Sequence, residues 1–405
     1  MDFSPQQQAG LDSAKRWFDE KTIGGGGPLV YRVFGFAGTG KTTIAKEFAA
    51  MVTGRVIFAS YTGKAAHVLR EKGCMSAQTL HSLIYLPSSK SAERLRNLQK
   101  EYAKQVDEDA TERVLRRLRD AIERERESIK EPSFSVNPDS DLKQASLLVI
   151  DEVSMVNASM GMDLESYNIP ILVLGDPAQL PPVKGGGYFT SQKPDVLLTE
   201  VHRQAKGSPV LHLATEVREG RGLRDAMEGM VVPKGQLGIA ELAQYDQVLV
   251  GLNKSRTAIN NRMRVHLGFD DPLPLVGDRL ICTQNDSETG LLNGSQWFVE
   301  YALPSEDHSR RVHLCLKGAD SEERVRCEAH THTFLGEETP FFEKREARCF
   351  DFAYAMTVHK SQGSQFDSVV LIDESRKFPN WNEAQRRAWL YTGITRAAHD
   401  LIVIK

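Results

Sequence analysis

The stretch GFAGTGKT at residues 35–42 decides the interpretation of the rest of the chain, because it fits the pattern GxxxxGK followed by Ser or Thr. Residues 29–34 before it are a strand candidate, and residues 42–51 after it are predicted to form a helix. Glycines let successive backbone N–H groups curve around phosphate oxygens, and the helix N-terminus faces the same anions. Lys41 would reach the β- and γ-phosphates of a triphosphate, and Thr42 would ligate Mg²⁺. The sequence therefore predicts a phosphate-binding loop.

Acidic residues at the end of a second apolar run would complete such a site. Asp151 and Glu152 directly follow the four apolar residues 147–150. Asp151 would hold Mg²⁺ through water, and Glu152 would orient and deprotonate the attacking water. A third apolar run, residues 171–174, leads into a turn containing Gln179. The uncharged amide of Gln179 could bond a γ-phosphate and release it after hydrolysis, which makes it a candidate link between chemistry and movement.

Composition restricts the class of protein. The 405 residues include 51 Lys+Arg and 54 Asp+Glu, which gives a formal net charge of −3. With 40% hydrophobic and 26% charged residues, the chain is unlike disordered, collagen-like or disulfide-rich proteins. Nucleic-acid binding would have to come from local patches. No apolar run approaches the ~18 residues of a membrane helix. The N-terminal residues show no signal-peptide pattern. The five cysteines are scattered and form no CxxC pair, which indicates reduced thiols in the cytoplasm.

Short apolar runs alternate with helical segments and predict parallel sheets covered on both faces. These runs are residues 29–34, 55–60, 147–150, 171–174, 247–250, 368–372 and 400–404. Two stretches interrupt the alternation. Residues 88–131 are dense in charge, with apolar residues three and four apart, and are predicted to form a helical hairpin. Residues 277–345 alternate short strands with turns, which is typical of a small all-β barrel or sandwich.

The motifs, taken together and in order, resemble those of the superfamily 1B DNA helicases of the RecD/Dda-like group. The matching segments are FSPQQ (3–7), GFAGTGKT (35–42), SYTGKAA (60–66), TLHSL (79–83), DEVSM (151–155), GDPAQLPPV (175–183), HRQ (202–204), AMTVHKSQGSQFD (355–367) and YTGITRA (391–397). The resemblance implies an α/β fold of two tandem RecA-like parallel-sheet domains, with a helical insertion in the first and a small SH3-like β-barrel insertion in the second. The implied domains are 1–86 with 142–205, the helical insertion 87–141, the second RecA-like domain 206–276 with 346–405, and the SH3-like insertion 277–345.

The resemblance also implies a nucleotide site in the cleft between the two RecA-like domains. Gln7 would read the adenine edge, and Gln365, where many relatives of the wider superfamily carry Glu, would contact the ribose. Arg203 and Arg396 would approach the γ-phosphate as arginine fingers, since a planar, always-charged guanidinium stabilises charge spread over the equatorial oxygens. Further nucleotide contacts would come from the phosphate loop residues Gly38, Thr39, Gly40, Lys41, Thr42 and Thr43.

DNA contacts implied by the resemblance use hydroxyls, amides and few cations, which suit phosphate tracking without base readout. The residues are Thr62, Lys64, Thr79, His81, Thr357, His359, Lys360, Ser361 and Gln362. His81 could equally be an ordinary core histidine. The element that would separate the DNA strands stays open, with residues 134–136 as one candidate.

A zinc site in the β-rich stretch is a less favoured alternative. His313, Cys315, Cys327, His330 and His332 lie close in sequence. However, alternate-residue spacing puts His330 and His332 on one face of a strand by pleat alone, and no CxxC pair is present. The sequence therefore favours ordinary strand residues.

The predicted function is that of an ATP-dependent DNA helicase, with ATP and Mg²⁺ as cofactors, that translocates on single-stranded DNA. The 5′→3′ direction comes from the resemblance alone. Expected partners are single-stranded DNA and its junctions with duplex, with a single-stranded-DNA-binding protein or replisome components as further candidates. We expect a monomer without membrane contact in a bacterial or phage-infected cytoplasm. The alternative is an ATP-switched subunit that binds single-stranded nucleic acid without unwinding; the biological pathway stays open.

Overall fold

The computed structural model describes most of the chain. The described residues are 3–87, 97–98, 100–102, 104–105, 111–129, 134–181, 187–200, 207–223, 229–286, 289–306, 310–319, 321–337 and 347–405. Internal contacts divide the chain into two units, Met1–Leu80 with Gln144–Lys405 and His81–Lys143.

Helices occur throughout the described residues. In chain order they are α1 (Pro5–Thr22), α2 (Lys41–Met51), α3 (Gly63–Glu71), α4 (Leu80–Ile84), α5 (Glu112–Ile129), α6 (Ala158–Glu165), α7 (Pro209–Arg218), α8 (Ile239–Leu242), α9 (Asn253–His266) and α10 (Glu383–Ile394). Not one of these helices has both the length and the apolar character needed to cross a membrane.

Within the described residues, the strands form four sheets. In chain order they are β1 (Val30–Gly35), β2 (Val56–Ser60), β3 (Gln78–Thr79), β4 (Tyr85–Pro87), β5 (Phe134–Val136), β6 (Leu147–Asp151), β7 (Ile171–Gly175), β8 (Val196–Leu198), β9 (Val231–Val232), β10 (Gln247–Val250), β11 (Arg279–Cys282), β12 (Gln296–Pro304), β13 (Arg311–Gly318), β14 (Arg324–His330), β15 (Phe350–Phe352), β16 (Ala355–Thr357), β17 (Phe366–Ile372) and β18 (Ala397–Ile404).

The first lobe, as we call it, is the parallel sheet of order β3-β2-β6-β7-β1-β8 with α1, α2, α3 and α6. β1 lies between β7 and β8 and is buried along its whole length. Trp17 of α1 and Phe48 of α2 belong to the same buried cluster as Leu172 of β7, so both helices pack on the sheet. Because parallel strands end at one edge, the loops after β1, β6 and β7 meet there, where such sheets bind ligands.

The second lobe is the parallel sheet of order β16-β10-β17-β18-β9 with α7, α8, α9 and α10. Its core contains the fully buried Trp389 of α10 and Leu371 of β17. Leu180, from the loop after β7 of the first lobe, belongs to this same cluster. The two lobes therefore share a continuous apolar contact.

A third sheet, antiparallel and of order β14-β13-β12-β11-β15, follows the second lobe's α9 in the chain. Trp297, Leu314 and Phe352 lie in its core. β12 contains a register shift between Val299 and Tyr301. The sheet has a fifth strand, β15, that lies beyond the stretch 277–345 predicted to be β-rich.

In the smaller unit, β4 and β5 form an antiparallel pair, with Tyr85 opposite Val136. The candidate wedge, residues 134–136, is therefore strand β5. Helix α5 lies in the charge-dense stretch predicted to be helical. Much of the first half of that stretch, including residues 88–96 and 106–110, lies outside the described residues.

Candidate nucleotide site and lobe interface

The phosphate loop connects β1 to α2. Gly38 and Gly40 have φ angles of 76° and 81°, in the left-handed region that glycine adopts without strain. A Cβ on Gly40 would also lie 2.6 Å from Gln7 Nε2, so the amide end of Gln7 would have to shift for any other residue there. Gly40 is the N-cap of α2 and provides no side-chain cap, which leaves the first N–H groups of the helix open to an anion.

The cavity at this helix end carries positive charge and has a volume of about 480 Å³. Its lining residues are Gly38, Thr39, Gly40, Lys41, Thr42, Thr43, Lys46 and Lys72. Lys41 Nζ donates to the carbonyl oxygens of Gly35 at 2.7 Å and Phe36 at 3.0 Å, and would exchange these for phosphate oxygens. Backbone amides, hydroxyls and lysines without a carboxylate in the lining fit a nucleoside polyphosphate.

The predicted metal residues are in direct contact. Thr42 Oγ1 donates to Asp151 Oδ2 at 3.0 Å, and the backbone N–H of Glu152 donates to Asp151 Oδ1 at 2.8 Å. Glu152 has a φ of 56°, an uncommon conformation for a residue other than glycine. A hydroxyl beside a carboxylate at the end of β6 is the type of oxygen donor set that Mg²⁺ binds.

The surroundings of Glu152 increase the basicity of its carboxylate. Desolvation of its carboxylate raises the pKa of Glu152, and the charge of Arg396, followed by that of Lys41, opposes this rise. Asp151 adds to the rise. A carboxylate whose basicity is increased by burial is better able to accept a proton from water at neutral pH.

Arg396 comes from the second lobe, where it follows α10 and is 5% exposed. Its Nε donates to Thr392 O at 3.1 Å and its Nη1 to Ser364 O at 3.1 Å. The positive charge of Arg396 opposes the rise in the pKa of Glu152 that burial causes, so this guanidinium of the second lobe acts electrostatically on the carboxylate of the first. Arg203, the other predicted finger, lies outside the described residues. Gln365 is exposed next to Ser364.

Two glutamines near the site have contrasting contacts. Gln7 Nε2 donates to Thr39 O at 3.0 Å and its Oε1 accepts from the Ser4 N–H, so this amide already supports the phosphate loop. Gln179 Oε1 is buried and has no hydrogen-bond partner within the described part of the chain. It is therefore available to a donor such as a water or a guanidinium.

Sequence reasoning missed several residues that join the elements of this site. Gln6 Oε1 accepts from the N–H groups of Thr199 and Glu200, which fastens α1 to the segment after β8. In the lobe interface, the Leu180 N–H donates to Thr392 Oγ1 at 3.0 Å. Leu180 O accepts at 3.1 Å from Nε2 of Gln362, which was predicted as a DNA contact and not as an interface residue. All lie in or beside the matched motifs, but their bonds depend on tertiary structure and leave no local signal.

The predicted DNA residues of the first lobe lie partly in the lobe interface. Thr62 caps α3 by accepting from the Ala65 N–H, and a Cβ on Gly363 of the second lobe would lie 3.0 Å from Thr62 Oγ1. Lys64 Nζ lies 5.1 Å from the ring centre of Phe366. Thr79 is buried at the end of β3.

His81 belongs to α4 in the smaller unit. Its ring centre is 5.7 Å from that of Tyr85, and burial lowers the pKa of His81. Both the contact and the direction of the shift also suit the core-histidine alternative.

The predicted DNA residues of the second lobe differ in exposure. Thr357, Ser361 and Gln362 are buried, whereas Lys360 is exposed and His359 is half-buried. Partial desolvation of its ammonium group, followed by the charge of Arg256, lowers the pKa of Lys360. Within this group, His359 and Lys360 are the side chains that solvent and a ligand can reach.

The residues of the zinc alternative show no metal-like arrangement. His330 and His332 are both buried, with ring centres 5.9 Å apart. Burial raises the pKa of the Cys327 thiol to about 12. In the described ranges, no group of three or more His, Cys, Asp or Glu side chains is placed to hold a metal ion.

Known proteins resemble this chain in sequence and fold. Residues 21–231 match the AAA domain, and residues 352–404 match the UvrD-like helicase C-terminal domain. The RecD subunit of the RecBCD enzyme of Mycobacterium tuberculosis is 27% identical over 421 residues, covering 91% of this chain and 65% of that protein. The crystal structure of Bacteroides Pif1 bound to single-stranded DNA has a TM-score of 0.58 at 18% identity and covers 100% of this chain and 92% of that one. The chain belongs to the superfamily 1B helicases of the RecD-like group.

Membership of this helicase family confirms the resemblance drawn from the motifs. The ATP-dependent RecD2 DNA helicase of Deinococcus radiodurans is 25% identical over 288 residues, covering 62% of this chain. The chain spans 35% of the length of that relative and 65% of the length of the mycobacterial one. Pif1 helicase from Candida albicans has a TM-score of 0.53 at 15% identity, and at such identities the likeness shows the parallel-sheet α/β helicase fold alone. The β11–β14 strands lie between the two matched segments.

Proposed function

We propose that the chain is an ATP-dependent DNA helicase. One observation carries the proposal: Lys41, Thr42, Asp151 and Glu152 of the first lobe meet at one sheet edge, and Arg396 of the second lobe acts electrostatically on Glu152. A site made from both lobes changes when the lobes move, and this is the property that a motor needs. Membership of the RecD-like helicase group supports the same reaction.

In the proposed reaction, the N-terminus of α2 and Lys41 bind the phosphates, and Thr42 with Asp151 hold Mg²⁺. The ion, when bound, neutralises charge on the phosphate oxygens. Glu152 orients water and takes its proton, while Lys41 and Arg396 stabilise the developing negative charge. Arg203 is the proposed second guanidinium, Gln179 the proposed sensor of the γ-phosphate, and Gln7 and Gln365 the proposed contacts to base and ribose.

In the proposed motor, the two lobes are the two RecA-like domains and alternate their grip on single-stranded DNA. His359 and Lys360 have the exposure to contact a phosphate backbone. We assign residues 87–141 to a helical insertion and residues 277–345 to an SH3-like one. The proposed direction is 5′→3′, as the RecD/Dda-like motifs imply, with single-stranded DNA and its junctions with duplex as ligands.

The decisive experiment measures ATP hydrolysis with and without single-stranded oligonucleotide, and then unwinding of duplexes with a 5′ or a 3′ tail. We expect Mg²⁺-dependent hydrolysis that DNA accelerates at least about tenfold, and unwinding of the 5′-tailed duplex only. Lys41→Met is the negative control, since it lacks the phosphate-binding ammonium. Stimulated hydrolysis without unwinding of either duplex would favour the ATP-switched binding subunit, and hydrolysis that DNA leaves unchanged would contradict both.

A further inference from the structure

We infer that the hydroxyl of Tyr391 is a positioning group for ATP binding, because it ties the phosphate loop of the first lobe to the end of α10 in the second. The inference rests on the proposed function and adds a residue to it. Tyr391 is not among the residues that line the phosphate-loop cavity. It acts on the positions of the loops that carry the phosphate-binding groups.

The Tyr391 hydroxyl makes two hydrogen bonds across the lobe boundary, of which the one to Asp176 is buried and the one from Ala37 is partly buried. It accepts from the backbone N–H of Ala37 at 2.9 Å and donates to Asp176 Oδ2 at 2.7 Å. Tyr391 is 2% exposed and Asp176 is 4% exposed. Burial, followed by the charge of Asp176, raises the pKa of the Tyr391 hydroxyl, so it remains protonated and able to donate at neutral pH.

The two partners of Tyr391 belong to the two loops that handle the phosphates. Ala37 lies within the phosphate loop, directly before Gly38 of the cavity. Asp176 begins the turn that carries Gln179, and its Oδ1 accepts from the Ala178 N–H at 3.0 Å. One hydroxyl therefore fixes the separation of these loops from α10.

The next residue of α10 holds the far end of the same turn. Thr392 Oγ1 accepts from the Leu180 N–H, so Tyr391 and Thr392 together fix the turn from Asp176 to Leu180. Arg396 lies just after α10, and its Nε donates to Thr392 O. The position of Arg396 at the reaction site is thus linked to the phosphate loop through Tyr391.

Removing the hydroxyl should weaken the arrangement of the lobes seen in this structure rather than the chemistry. Tyr391→Phe keeps the ring but leaves the half-buried Ala37 N–H and one buried oxygen of Asp176 without their partner, which disfavours this arrangement. A ligand that binds this arrangement then binds less tightly in proportion to the lost population. We expect the Kd for ATP to rise about 5- to 100-fold, with a small change in kcat at saturating ATP.

Tyr354→Phe is a matched control within the same unit. The Tyr354 hydroxyl also accepts from a backbone N–H, that of Arg279 at 3.2 Å, and donates to an aspartate, Asp278 Oδ1 at 2.9 Å. These partners lie in β11 and directly before it, and neither belongs to the first lobe. Tyr354→Phe therefore loses the same kind of bonds without touching the phosphate loop.

The experiment compares wild type, Tyr391→Phe and Tyr354→Phe in three measurements. They are the Kd of a fluorescent ATP analogue with Mg²⁺, the KM and kcat for ATP with saturating oligonucleotide, and amide hydrogen exchange of the free protein at Ala37 and Leu180. For Tyr391→Phe we expect a raised Kd and KM, a kcat within about threefold of wild type, and faster exchange at both amides. For Tyr354→Phe we expect no change in any of the three.

Three results would overturn the inference. They are an unchanged Kd in Tyr391→Phe, an equal effect of Tyr354→Phe, and faster exchange at Ala37 without a change at Leu180, which would indicate a purely local bond. The binding and exchange measurements do not require helicase activity. A wild-type protein that binds the analogue but hydrolyses ATP independently of DNA would therefore contradict the proposed function and leave the role of Tyr391 to be decided by its own data.

Discussion

The two lobes use the N-terminus of a helix after a strand in opposite ways. In the first lobe, α2 begins at the phosphate loop and opens on a cavity lined by lysines. In the second lobe, α9 follows β10, and its N-cap Leu252 also lacks a side-chain cap. There the N–H groups of Gly251 and Leu252 both donate to Glu374 Oε2 at 2.9 Å. The first lobe thus leaves its positive helix end open to an anion from solution, whereas the second supplies its own anion.

The loops explain this difference. The first has glycines at positive φ, Gly38 and Gly40, which curve the backbone around an empty space. The second consists of Gly251 and Leu252 only, and a Cβ on Gly251 would lie 2.9 Å from Glu374 Cβ. A loop short enough to bring a carboxylate this close to the helix end therefore has no room for a phosphate. A loop wide enough for a phosphate does not bring a carboxylate this close. This comparison predicts that the first lobe binds the reacting phosphates and that the Glu374 carboxylate of the second lobe stabilises the fold.

The largest expected effect is that of Glu152→Gln in the first lobe. The amide cannot accept the proton of the attacking water, so the rate of hydrolysis should fall about 10²- to 10⁴-fold. Nucleotide binding should persist, because the phosphate contacts of α2 and Lys41 remain. Single-turnover hydrolysis and the Kd of a fluorescent ATP analogue measure the two quantities.

Glu47→Gln is the control for Glu152→Gln, because Glu47 lies exposed on α2. It should leave hydrolysis unchanged. Wild-type rates in Glu152→Gln would remove this residue as the base and would weaken the contrast between the lobes.

The second effect, intermediate in size, is that of Glu374→Gln on stability. Besides the two N–H groups, Ser255 Oγ and Lys377 Nζ each donate to Glu374 Oε1 at 2.6 Å. A glutamine would turn an NH₂ group towards some of these donors, and hydrogen bonds to a charged group are worth more than neutral ones. We expect the free energy of unfolding of the second lobe to fall by about 2–3 kcal/mol, with nucleotide binding within about twofold of wild type. Urea unfolding followed by circular dichroism measures the loss.

The pH dependence of this loss provides a further test. Burial would raise the pKa of Glu374, but hydrogen bonds from Lys377, Ser255, Leu252 and Gly251 together lower it from its ordinary value of 4.5. A lowered folded-state pKa stabilises the protein above the unfolded value, and this contribution disappears as the pH falls through the folded pKa. The difference between wild type and Glu374→Gln should therefore be constant near neutral pH and shrink below pH 4.5. A difference that persists undiminished in acid would show that lost packing, not lost charge, is the cause.

Much of the first-lobe site could be predicted because its causes are local. An apolar run, a glycine-rich loop and a helix follow one another, and the predicted strand 29–34 differs from β1 by a single residue at each end. Asp151 and Glu152 could likewise be placed at a strand end, because their run of apolar neighbours predicts β6. These assignments need no knowledge of distant residues.

The rest depends on contacts between distant parts of the chain. Strands β3 and β9 have two residues each and form because a neighbouring strand pairs with them. Two residues are too few to show the alternation of apolar and polar residues that predicts a strand. Glu374 follows an apolar strand and has the sequence pattern of a solvated end, yet its partner Gly251 lies 123 residues away. The bond from Tyr391 to Asp176 spans 215 residues. Pattern reasoning therefore found the open helix end of the first lobe and missed the closed one of the second.

The smallest expected effect, that of Lys46→Met, sharpens the comparison by testing charge at the open helix end. Lys46 lines the phosphate-loop cavity and is exposed, so salt screens its attraction for phosphates. The Kd for ATP should rise about 2- to 5-fold at low ionic strength and return to the wild-type value near 1 M salt, where the Debye length is only about 3 Å. Lys15→Met is the control, because Lys15 is also exposed but lines a separate cavity that shares no residue with the phosphate loop. If Lys46→Met and Lys15→Met bind ATP equally at low salt, the exposed lysine adds nothing. The contrast between the two helix ends then rests on the backbone of the loop and on Lys41 alone.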